Sequence, residues 1–175
     1  MDVTALAHAG SRLQHADQLL APVCERQAAG RGDGEAVTPL SGLQELIMQA
    51  RDDALVAYGL AAVTSAPKAR AQARALDAYQ AIADLADGLD NAFDELKPTG
   101  TDASVLARTC QALSQAATFL AQAAGDEHLV AGADGRTPVR LATQLAVHSE
   151  AALYPRAHRP GPSLPSDVTD LSSVT

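Results

Sequence analysis

The sequence has no tryptophan, two phenylalanines and three tyrosines in 175 residues. A core made from it cannot lean on aromatic bulk, so leucines must meet across closely approaching helices. Cysteine is as scarce. Cys24 and Cys110 stand alone, which excludes a disulfide framework and any C-x-x-C metal site. Basic residues are outnumbered, thirteen against twenty-one acidic ones, for a net charge of −8. That balance speaks against a sequence-independent grip on nucleic acid or anionic lipid, since both require cationic surface. The longest uncharged run in the apolar part of the chain, ALVAYGLAAVTSA at 54–66, falls short of a bilayer span. The opening MDVTALAHAGSRL lacks the basic start and apolar stretch of a secretory signal. The expectation is a cytoplasmic protein, not bound to membrane, whose two thiols stay reduced and pack as small core hydrophobes. No cofactor and no metal ligand set is expected.

What the chain does have is alanine, 38 residues of it, the strongest intrinsic helix former. Five helical segments can be drawn. The first, 3–29, puts Leu6, Leu13, Leu20 and Val23 on one stripe and should be kinked or split by Pro22. GRGDGEAV (30–37) reads as a flexible connection. Thr38-Pro39 opens the second segment, 39–65. Its first half has a polar face of Glu45, Gln49, Asp52 and Asp53, and its second half is apolar nearly all round. A helix of that kind belongs among neighbours on every side, so this segment is the expected centre of the fold. The third, 67–97, is bounded by Pro67 and Pro98. The fourth, 102–124, with Thr101 or Asp102 as its cap, spaces Leu106, Cys110, Leu113, Ala117, Leu120 and Ala124 by fours and threes, the seam of bundle packing. GDEHLVAGADGR reads as a loop, and a second Thr-Pro start at Thr137 opens the fifth segment, 137–154. Residues 155–175, biased to Pro, Ser and Asp, are expected to be disordered. The expected fold is all-α: an up-and-down bundle of four to five helices over 1–154, with a disordered C-terminal tail.

The third segment carries its charges the wrong way round. A helix favours acids at its start and bases at its end, yet Lys68, Arg70 and Arg74 come first and Asp84, Asp87, Asp90, Asp94 and Glu95 come last. At about 100° per residue the acids fall opposite Ile82, Leu85, Leu89, Phe93 and Leu96, so the plain reading is a solvated face. Assembly is its best functional use: two antiparallel copies would set the basic end of one against the acidic end of the other. The fourth segment adds a face of neutral polar groups, Gln111, Ser114, Gln115, Thr118 and Gln122, of a kind suited to partial burial at an interface. A third reading places a divalent cation on Asp87, Asp90 and Asp94, facing Glu45, Asp52 and Asp53 across a cleft, as in metal-dependent helical enzymes.

Two local motifs point elsewhere. RLATQLAVHSEAALYPRAHR (140–159) resembles a DNA-binding helix-turn-helix, with Ala142, Leu145, Ala146 and Val147 in the first helix. Residues 136–159 bear Arg136, Arg140, Arg156 and Arg159 against Glu150, a local charge of +3. The resemblance implies Arg140, Ser149, Glu150 and Arg156 as DNA contacts. Its second half departs from the pattern, with Ala152 where an aliphatic anchor is expected and Pro155 ending the second helix early; one amphipathic helix from Thr137 to Pro155 is the plainer reading. AHAGSRL (7–13) resembles the exposed histidine of phosphotransfer bundles, with Gly10 and Arg12 as its small and cationic neighbours, though their order is reversed.

The function expected from these residues is non-catalytic binding of protein, foremost of a second copy of the chain. The surface expected to carry it is Arg70, Arg74, Asp87 and Asp94 on the third helix and Gln111 and Gln115 on the fourth. A small DNA-binding regulator using 140–159 is the alternative, and the metal-dependent enzyme comes third.

Overall fold

The computed structural model describes residues 1–30, 39–125 and 137–154. Within them the chain forms α1 (Val3–Gly30), α2 (Pro39–Ala62), α3 (Lys68–Leu96), α4 (Gly100–Ala124) and α5 (Pro138–Leu153), and no strand. The expected linker at 30–37 and loop at 125–136, apart from Gly30 and Gly125 at their starts, and the tail at 155–175 lie outside the described residues.

Start and stop chemistry is partly as the sequence implies. Thr137 caps α5 by accepting from the Arg140 backbone N–H at 3.3 Å, and Asp2 caps α1 by accepting from the Ala5 N–H at 3.0 Å. That N–H, helped by Gln122, holds the Asp2 carboxyl below its usual range. α3 ends on Lys97 in the left-handed conformation (φ 45°), its N–H bonded to the Phe93 carbonyl, where glycine is usual. α4 begins earlier than expected, at Gly100, with Thr99 in the cap position. Thr101 and Asp102 therefore sit in its first turn, and Asp102 suits the helix dipole there while bonding Arg26 at 2.6 Å. Proline does not split α1, which runs through Pro22. The carbonyl that loses its helix bond to Pro22 is that of Gln18, and both residues are exposed, so water can serve it.

The contacts between helices give their directions. Asp17 of α1 meets Arg51 of α2, and Gly10 lies under Leu55, so α1 and α2 are antiparallel. Arg74 reaches Asp53, and Gly88 faces Leu43, which sets α3 antiparallel to α2. A Cβ on Gly88 would lie 3.0 Å from the Leu43 side chain, so a bare backbone is what lets these two helices approach. Gln72 near the start of α3 donates to the carbonyl of Ala124 at the end of α4. Arg26–Asp102 and Gln122–Asp2 tie both ends of α1 to the opposite ends of α4. Ser149 of α5 donates to the Ala107 carbonyl of α4. The result is an up-and-down bundle in which α1, α2, α3 and α4 close a ring and α5 packs on α4 and, less, on α3.

The centre is α4, not α2. α4 packs on α1, α3 and α5 and leaves one exposed strip, Arg108, Gln111, Gln115, Thr118 and Gln122. Around that strip it buries Leu106, Cys110, Leu113 and Leu120 among eight alanines. α2 packs chiefly on α3 and α1, so the expectation of a fully enclosed second helix is corrected. Its core stripe is Leu40, Leu43, Ile47, Ala50, Ala54 and Ala57. Leu46 and Ala61 pack partly against the same core, whereas Met48, Leu55, Val56 and Tyr58 are exposed.

Both thiols are in the core, Cys24 on α1 and Cys110 on α4. Burial pushes Cys24 up to about 11, with the Asp17 carboxylate adding to it, and burial alone pushes Cys110 up to about 12. The reactive species is the thiolate. At pH 8 each thiolate is therefore at most about one part in a thousand. A chromogenic disulfide reagent is expected to leave the native protein unmodified over the time in which it titrates two thiols per unfolded chain. Fast reaction of the native state would mean that α1 or α4 opens locally.

Candidate functional site: the outer face of α2

The inverted charges of α3 find their complements inside the molecule. Because α2 and α3 are antiparallel, the basic start of α3 lies beside the acidic middle of α2, and Arg74 bonds Asp53 at 3.0 Å, with Asp77 at 3.9 Å. Its acidic part lies beside α5. Gln144 donates to Asp87 at 3.1 Å, and the His148 ring approaches Asp90 through Nδ1 at 3.2 Å. His148 is buried, edge-on to Phe93 at 6.0 Å, and its Nε2 finds no hydrogen-bond partner. The acids stay exposed, as a solvated face requires, but two of them also form the edge on which α5 rests.

Of the six residues expected at an interface, Arg74 and Asp87 are thus engaged within the bundle. Arg70 and Asp94 are exposed near opposite ends of α3, and Gln111 and Gln115 lie on the exposed strip of α4. The fold does not gather them into one surface. For the DNA-binding alternative, α5 is one uninterrupted helix where a turn is needed, and Ser149 is buried against α4 instead of facing outward. Arg140 and Glu150 are exposed, and Arg156 lies outside the described residues. For the metal reading, among the described residues no three His, Cys, Asp or Glu side chains gather closely enough to hold an ion. Asp53, one of the acids meant to face the stripe, faces Arg74 instead. His8 is exposed and lies against Phe119, ring centroids 5.0 Å apart and planes tilted by 59°, while Gly10 is buried beneath Leu55, serving helix approach.

The chemistry that remains is apolar. Met48, Leu55, Val56, Tyr58 and Val63 are between 40% and 53% exposed. At about 100° per residue, Glu45, Met48, Asp52, Leu55, Val56 and Gly59 fall within roughly 100° of arc, opposite the core stripe, and Val63 follows just past the end of the helix. Positions 48, 52, 55, 59 and 62 advance by fours and threes, the spacing of a helix–helix seam, and among the described residues all five stay exposed. α5 also exposes Val139, Val147 and Leu153, with Tyr154 just past its end, but Val139, Leu153 and Tyr154 lie next to segments outside the described residues. The sequence did hold the signal for α2, in the apolar run at 54–66, of which Ala54 and Ala57 are buried and Leu55, Val56 and Tyr58 are exposed among the described residues.

The fold and this face together define an all-α helical bundle with an apolar seam on its outside. Comparison with known protein families, with curated proteins and with solved structures returns no match for this chain. No described helix is long and apolar enough to cross a membrane.

Proposed function

We propose that this chain acts without catalysis, as a helical bundle that binds protein through the outer face of α2. The observation that supports the reading is the uncovered seam itself. Exposed apolar side chains interleaved with charge, here Glu45 and Asp52 on the face and Arg51 and Asp53 beside it, suit a protein contact. The expectation of protein binding is kept, and its location moves from α3 and α4 to α2. Residence in the cytoplasm belongs to the same reading, supported by two buried thiols that are not paired with each other.

A photoreactive amino acid placed at Leu55, and in a separate variant at Gln115, tests the location in the protein's own cells. Adducts at 55 and none at 115 are the expected result. Adducts at 115 alone would return the contact surface to α4, and their absence at both positions would remove the reading.

A further inference from the structure

We propose that the partner on this face is a second copy of the chain, packed antiparallel on the first about an axis at Leu55–Val56. The proposal rests on α2 being the docking face. Three observations carry it.

The large apolar residues of the face stand symmetrically about its centre. Met48 stands as far before the Leu55–Val56 pair as Val63, the first residue past α2, stands after it. A two-fold contact requires such self-complementarity, because each residue meets the equivalent of its own counterpart. Overlaid in this way, Met48 of one copy lies against Val63 of the other, and the Leu55–Val56 pair meets itself across the axis.

The charges select the antiparallel sense. The first half of the face carries Glu45 and Asp52. Beyond its other end the chain turns into the exposed Lys68 and Arg70 of α3, with no acidic residue between Asp53 and Asp77. Antiparallel packing brings Glu45 toward Lys68 and Arg70 of the second copy, whereas parallel packing stacks acid on acid. Such exposed pairs set orientation more than affinity.

Gly59 fits a close approach from outside. A Cβ there would meet nothing within 4 Å, so the bundle does not need glycine at that position. In an exposed helix glycine otherwise only weakens the helix.

The test uses the full chain. Light scattering is expected to give the mass of a dimer, shifted to the monomer in Leu55→Lys. The register is then read by cysteine cross-linking under mild oxidation, with the two native thiols buried and silent. Disulfides form only where Cα atoms lie within about 7 Å. Val56→Cys is expected to cross-link to itself. Met48→Cys and Val63→Cys are each expected to stay uncrosslinked alone and to cross-link when mixed. Self-cross-linking at 48 and at 63 would overturn the antiparallel arrangement. A native chain that is monomeric at every concentration would overturn self-pairing. If Leu55 still captured another protein in cells, the docking face would survive that result; if it captured none, both readings would fall together.

Discussion

Tyr79→Ala is expected to cost about 3–5 kcal/mol of folding stability, the range of large-to-small changes in a packed core. Tyr79 is the largest of the side chains with no exposure. Its cost should lie at the high end because the buried face of its own helix offers little with which to refill the space. The core of α3 is otherwise Ala71, Ala75, Ala78, Ala81, Ala83, Ala86 and Ala92 with Ile82, Leu85 and Leu89. Alanine has no rotamer with which to fill a vacated space, so the cavity stays open and the dispersion contacts of its lining are lost. For a chain of this size the change corresponds to a fall in Tm of roughly 10 °C. Chemical denaturation with matched slopes measures it. Tyr79→Phe isolates the hydroxyl and is expected to cost about 0.5–1.5 kcal/mol. A loss under about 2 kcal/mol in Tyr79→Ala would mean that the helices close over the space, a plasticity not expected of close-packed alanine ridges.

That same composition explains what could be read from the sequence and what could not. Helix existence was legible because alanine, the Thr-Pro starts and the prolines at 67 and 98 are local signals, and α1, α3 and α5 lie close to their expected limits. The up-and-down arrangement followed from connection lengths. Depth was not legible. α4 lies at the centre through Ala103, Ala107, Ala112, Ala116, Ala117, Ala121, Ala123 and Ala124, each buried. Alanine is equally at home on a surface, so its burial leaves little trace in hydropathy. α2 erred the other way: Leu55, Val56 and Val63 announced burial, and the described residues do not provide it. Hydropathy states that a surface avoids water and is silent on which molecule covers it. The charge inversion of α3 could not be resolved from one helix, since its complements, Asp53 on α2 and Gln144 and His148 on α5, are set by topology. Ser149 belongs with these: a hydroxyl expected to face DNA is turned inward by the single helix that runs through it.

Pro22→Ala is expected to raise stability by about 1–3 kcal/mol. α1 continues for two turns beyond Pro22 to Gly30, so the site is a helix interior. There proline withholds the N–H that would bond the Gln18 carbonyl, and its ring crowds that oxygen. Alanine restores the bond and adds the best helix propensity. It also frees the unfolded chain, which offsets about 0.4–1 kcal/mol of the gain. Pro22 is exposed, so no core contact is lost with it. The midpoint of denaturant unfolding should rise with an unchanged slope. The opposite sign would carry its own meaning. Val23 and Cys24 are buried just past the proline, and Arg26 reaches Asp102 at the start of α4. A destabilised Pro22→Ala would show that α1 needs a bend at this point to lay those three residues against the bundle, so that the proline shapes the contact and straightening the helix breaks it.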